Sequence, residues 1–167
     1  MKKVIILLFA LVILLPAEQK GFQSIFDGKT LKGWNGDPTF WSVKDGAITG
    51  QTTKANPTKG NTFIIWEGGK LKDFILEVDF KIIGGNSGIQ YRSFKKSGNN
   101  DGWRIGGYQA DFAAGAGGDR YSGICYGEAF RGILSLRGDK TTLTKEGGKL
   151  KKKVEKRPEV IHIHGTA

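Results

Sequence analysis

The sequence predicts an all-β fold, a β-sandwich of two packed antiparallel sheets, on three observations. Short apolar/polar alternations recur along the chain, turn residues separate them every eight to twelve positions, and no amphipathic helical period is present. The 26 glycines fit the same reading, because they are spread through 167 residues without a three-residue period, as tight turns between short strands require. A chain of this length buries one ordinary core, so one domain is expected.

The elements follow in order. Phe22 to Gly33 gathers Phe22, Ile25, Phe26 and Leu31 around an Asp27-Gly28 turn and is read as a first edge strand and corner. From Phe40 to Gln51, Asp45-Gly46 separates FWSVK from AITGQ, the two-residue turn whose twist matches that of paired strands. Thr62 to Trp66 is short and continuously apolar, as for a strand covered on both faces. In Phe74 to Ile83 one set of positions, Phe74, Leu76, Val78, Phe80 and Ile82, alternates with Ile75, Glu77, Asp79, Lys81 and Ile83, which predicts a half-buried strand. Gly84-Gly85-Asn86 then turns the chain into Ser87 to Arg92. Gly107 to Phe112 repeats the alternation. With neighbouring strands in register, Gln90, Arg92, Gln109 and Asp111 project from one surface.

Between these strands runs a long polar loop, Ser93 to Gly106, carrying Trp103; loops of this length are often functional. The glycine-rich Ala113 to Ser122 opens no helix and lacks a Gly-Lys-Ser or Gly-Lys-Thr at phosphate-loop spacing, which excludes a nucleotide-phosphate reading. Gly123 to Tyr126 and Gly132 to Arg137 are two more strands flanking Glu128 and Arg131, and Val160 to His164 is the last. That strand stands directly before Ala167 with no turn or cap after it, so the fold is expected to be C-terminally incomplete.

Residues 1–17 differ in kind. Lys2-Lys3, an apolar run from Val4 to Leu15 and then Pro16-Ala17 have the layout of a secretory signal peptide, too short to span a bilayer comfortably. The mature protein is therefore expected to be periplasmic or secreted, with no membrane span after signal removal. Cys125 is the lone cysteine, so no internal disulfide forms, and it is read as a small buried hydrophobe. The net charge of +10 is concentrated in residues 137–157, with nine Lys or Arg against three acids. Without interleaved aromatics this segment is read as a solvated loop or helix face rather than a nucleic-acid surface.

Five segments, FDGKTLKGW (26–34), WSVKDGAITG (41–50), FILEVDFKIIGGNSGIQYRS (74–93), GYQADF (107–112) and YGEAFRGIL (126–134), in this order, resemble the 3-keto-disaccharide hydrolase domain family. The resemblance covers residues 22–167. It implies a jelly-roll sandwich similar to concanavalin A-type lectins and glucanases, with a carbohydrate substrate on the concave sheet, and family members continue past the last residue here.

A conventional glycosidase needs two carboxylates flanking the scissile bond. Glu77 and Asp79 lie two apart on one predicted strand, Cα atoms roughly 6.7 Å apart, but Ile82 stands where the glucanases of this fold carry a second Glu, so they are read as solvated polars. Asp111 and Glu128, in segments that match the family, are the candidate catalytic pair. On a 3-keto sugar the carbonyl acidifies the C2 proton, and the site then needs a base, an acid for the leaving oxygen and a donor for the enolate oxygen. Asp111 and Glu128 are the candidates for base and acid, in either order, Arg92 or Arg131 is the candidate to hold the enolate, and Gln90 and Gln109 are expected to orient hydroxyls. Trp103 offers a ring for stacking on a pyranose, whereas Trp34, Trp41 and Trp66 are expected to pack in the protein. His162 and His164 share a strand face, but without a third ligand no metal or other cofactor is assigned. The same polar face serves equally in a non-catalytic carbohydrate-binding module; two carboxylates and two arginines favour the enzyme.

Overall fold

The computed structural model describes residues 21–96, 102–115 and 118–156. The predicted signal segment, the strand at Val160 to His164 and the histidine pair within it lie outside the described residues. The fold is all-β, as expected, with antiparallel pairing throughout and one helical turn, an arrangement consistent with a jelly-roll sandwich.

The first elements are short. β1 (Trp34–Asn35) pairs with β4 (Ile65–Trp66), placing Trp34 opposite Trp66. The expected edge strand at Phe22 to Gly33 is instead an irregular corner pinned at Asp27. Its carboxylate accepts hydrogen bonds from the Thr30 hydroxyl (2.6 Å) and the Thr30 and Lys29 amides, which hold its pKa down at about 2. The Trp34 indole donates to Ile25 O at 2.9 Å and fastens this corner to β1. β2 (Trp41–Lys44) and β3 (Ala47–Gly50) form the predicted hairpin, and both turn residues have positive φ, 50° at Asp45 and 74° at Gly46, as a type I′ turn demands.

One four-stranded sheet organises the rest: β5 (Asn86–Lys95), β6 (Ile105–Ala113), β7 (Cys125–Glu128) and β8 (Gly132–Ser135), neighbours in that order. The helical turn α1 (Gly118–Tyr121) bridges β6 to β7. The most buried residues lie in this sheet or the loop before β7, and they include as many polar side chains (Gln109, Asp111, Ser122, Glu128) as apolar ones (Ile105, Ala113, Ile124, Leu134). Burying polar groups at the centre of a sheet is costly unless they are bonded or used. Ser122 is bonded, its hydroxyl bridging the amide and carbonyl of Ala113 at 3.0 and 3.1 Å.

Two further expectations are corrected. Phe74 to Ile83 joins no ladder among the described residues, and its apolar positions are largely exposed, Ile75 by 78% and Ile83 by 86%. The segment is held instead by side chains. Phe80 stacks on Phe112 of β6 with centroids 4.0 Å apart, and Arg92 reaches back to Lys72 O and Asp73. A strand needs a partner as well as a pattern, and alternation alone supplies no ladder. Conversely, the lysine-rich stretch is neither loop nor helix. β9 (Asp139–Glu146) and β10 (Lys149–Lys156) form a regular hairpin around Gly147-Gly148. Register puts Lys140, Lys153 and Glu155 on one face, where the carboxylate lies 3.7 and 3.0 Å from the two ammonium groups and relieves the lysine repulsion.

Candidate active site

Alternation along β6 turns Gln109 and Asp111 to one face of the four-stranded sheet and Tyr108 and Phe112 to the other. Register adds to each face. On β7, Tyr126 lies opposite Gln109 and Glu128 opposite Gly107; on β5, Gln90 lies opposite Gln109 and Gly88 opposite Asp111. The polar face forms the floor of a cavity of about 390 Å³ whose wall includes Gln109, Asp111, Tyr126 and Glu128, with Asn86 at the start of β5 and Asn61 arriving from outside the central strands. Ile124, Ile133 and Tyr121 complete it.

Along the strand axis the floor reads Glu128, then Tyr126 beside Gln109, then Asp111. Glu128 and Asp111 are displaced by four residues, so their Cα atoms are about 14 Å apart, with Tyr126 between them, about 6.8 Å from one and roughly 7–8 Å from the other. The carboxylates thus stand at opposite ends of the cavity, facing the space between.

Asp111 has its own support. Gln109 Nε2 donates to Asp111 Oδ1 at 2.6 Å, and the side chain lies over Gly88, where a Cβ would come within 2.7 Å of Gln109 Cγ. Any side chain at 88 displaces the glutamine from the carboxylate. Burial raises the Asp111 pKa above its ordinary 3.8. The bonds from Gln109 and Asn86 oppose that rise, and the charge of Glu128 adds to it. Burial and the charge of a second carboxylate across the cavity thus both favour the neutral form of Asp111. Gln90 brings a further amide to this face, with its side-chain nitrogen and oxygen both buried and unbonded among the described residues.

The structure therefore brings together Gln90, Gln109, Asp111 and Glu128, and separates the other sequence candidates from them. Arg92 has φ 49° at a bulge where the β5–β6 register shifts between Tyr91 and Phe94, and this turns it to the opposite face. There it lines a second cavity, of about 300 Å³, with Tyr91, Tyr108 and Cys125. Arg131 also serves that face: Nη1 donates to the Tyr108 hydroxyl at 3.0 Å and the guanidinium lies over the Phe130 ring at 5.1 Å. Trp103 donates to Asn35 Oδ1 at 2.8 Å and is not part of the cavity wall. Glu77 and Asp79 are exposed on the segment that lacks a ladder. Cys125 is half-buried, 3.8 Å from the Tyr91 hydroxyl. Among the described residues no group of three or more His, Cys, Asp or Glu is placed to hold a metal ion.

Sequence reasoning missed Asn61, Asn86 and Tyr126. Tyr126 was within its reach, since two residues before Glu128 on one strand means the same face. Asn86 is read as a turn residue from its Gly-Gly-Asn setting but opens β5, and Asn61 reaches the site only through tertiary contact.

Comparisons with known proteins identify the family. Residues 21–160 match the 3-keto-alpha-glucoside-1,2-lyase-like domain. The chain is also similar to a 3-keto-disaccharide hydrolase of Bacteroides thetaiotaomicron, 39% identical over 89 residues, which span 46% of this chain and 29% of that protein. No solved structure matches. The match over 21–160 takes in every strand of the fold and the whole cavity floor, and the chain belongs to the family of 3-keto-alpha-glucoside-1,2-lyase-like domains.

Proposed function

We propose that the protein is exported and cleaves 3-keto glycosides at this cavity by removing the proton on C2, with Asp111 and Glu128 as the acid-base pair. The observation that carries the proposal is the placement of these two buried carboxylates at opposite ends of one polar cavity, with amide and phenol groups between them. The name of the similar Bacteroides protein supports a 3-keto disaccharide as substrate, and the family description supports elimination across C1 and C2.

The step balances as follows. One carboxylate takes the C2 proton, and the C–H electron pair forms the enolate, with negative charge on the C3 oxygen. The enolate collapses to the C3 carbonyl, a C1=C2 double bond forms, and the C1–O bond breaks as the other carboxyl protonates the leaving oxygen. Water then adds across C1=C2, its hydroxyl to C1 and a proton to C2, releasing the 3-keto sugar. Burial raises the Asp111 pKa, the direction a general acid needs, and on that ground we assign Asp111 the acid and Glu128 the base. Gln90 and Gln109 orient the sugar and the carboxyl.

In the full-length protein, Asp111→Asn and Glu128→Gln are each expected to lower turnover of a 3-keto glycoside by about 10²-fold or more while binding survives. A substrate deuterated at C2 should show an isotope effect or lose label to solvent. Label fully retained in the product, at an unchanged rate, excludes C2 abstraction.

A further inference from the structure

We infer that Tyr126 is the catalytic residue that donates a hydrogen bond to the C3 oxygen as the enolate forms, a role that rests on the C2-abstraction reading above. Charge develops on that oxygen when the C2 proton leaves, and a fixed donor aimed at developing charge is among the largest contributions a site makes. The two arginines that the sequence suggests for this role are on the wrong side of the sheet. Arg92 is turned away by the bulge and paired with Asp73 at 3.7 Å, and Arg131 is bonded to Tyr108. No lysine or arginine lines the polar cavity among the described residues, so the donor is neutral.

Among the neutral donors on the wall, Gln109 has one of its two amide hydrogens on Asp111 at 2.6 Å, which aims its amide at that carboxylate, and Asn86 is also bonded there. Tyr121 sits on the α1 turn with its ring under the Arg120 guanidinium at 5.2 Å. Asn61 reaches the wall from an exposed loop outside the sheet, and Tyr126 differs from all four. It stands on the rigid floor between Glu128 and Asp111, and its hydroxyl has no hydrogen-bond partner among the described residues. A base at one neighbour and an acid at the other, with a phenol between them, supplies the three contacts that enolate formation and C1–O cleavage require. Phenols serve this purpose at other sites that generate enolates.

The test uses the full-length protein, a 3-keto glycoside with deuterium at C2, and the variants Tyr126→Phe and Tyr126 replaced by 2,3-difluorotyrosine. Tyr126→Phe is expected to lower kcat about 10²- to 10³-fold with KM little changed, and to slow loss of the C2 label by the same factor. The difluorotyrosine variant, which keeps the ring and a more acidic hydroxyl, is expected to recover turnover to within about tenfold of the parent. Turnover of Tyr126→Phe within about threefold of the parent, while Asp111→Asn and Glu128→Gln stay slowed by about 10²-fold or more, overturns the role of Tyr126 and leaves the acid-base pair standing. A difluorotyrosine variant as slow as Tyr126→Phe also overturns it. A parent enzyme that retains all label and shows no isotope effect overturns the C2-abstraction reading itself.

Discussion

At the scale of single residues, Asp111 shows how a site trades stability for reactivity. Its folded pKa is raised by burial above the ordinary 3.8, so the native state binds this proton more tightly than the unfolded chain. Stability from this group is therefore fully present below about pH 3.8 and is lost as pH rises through the raised folded value. Asp111→Asn removes the charge while its side-chain oxygen still accepts from Gln109. It is expected to be more stable than the parent at pH 7, with the advantage vanishing towards pH 3.5. Urea unfolding of both proteins at the two pH values checks this, and an equal difference at both means burial of the charge is not the cause. Tyr91 carries the same lesson on the opposite face. Burial first, then its contact with Cys125, pushes its phenol up to about 12.

At the scale of elements, local turn chemistry decides where strands pair. The β2–β3 hairpin closes through Asp45 and Gly46, and a Cβ at Gly46 would meet only Gly28 O at 3.8 Å, so space does not restrict this position. What restricts it is φ 74°, a conformation that costs an L side chain about 1 kcal/mol. Gly46→Ala is expected to destabilise the protein by about that amount, read as a lower urea midpoint at unchanged slope. A loss below about 0.3 kcal/mol means the turn has relaxed to another type. The β9–β10 hairpin shows the converse. Its eight matched residue pairs form although one strand is mostly lysine, because carboxylates on the same face and free solvation of the ammonium groups keep the repulsion small.

At the scale of the whole molecule, the proposed export gives its own expected outcome: the mature protein is expected to begin near Glu18, which N-terminal sequencing of the extracellular or periplasmic fraction checks. Recovery of intact Met1 from that fraction refutes it. Within the fold, the sequence by itself determined what depends on the backbone of one segment. The Asp-Gly hairpin, the strands of the central sheet and the shared face of Gln109 and Asp111 all follow from period-2 geometry and turn residues, which act over a few positions. Tyr126 and Glu128 share a face because β7 runs on to Glu128, two residues past the strand end expected at Tyr126. Only the tertiary structure decided what depends on a partner strand. The Tyr91/Phe94 register shift sends Arg92 away from Gln90, although strict alternation puts them together, because a bulge is a property of a strand pair. Arg131 is settled by the Tyr108 hydroxyl it meets across the sheet, and Asn61 by where a distant loop lies. Phe74 to Ile83 has the clearest alternation in the chain and yet no ladder, since alternation gives a strand its faces while hydrogen bonds from a neighbour give it its place.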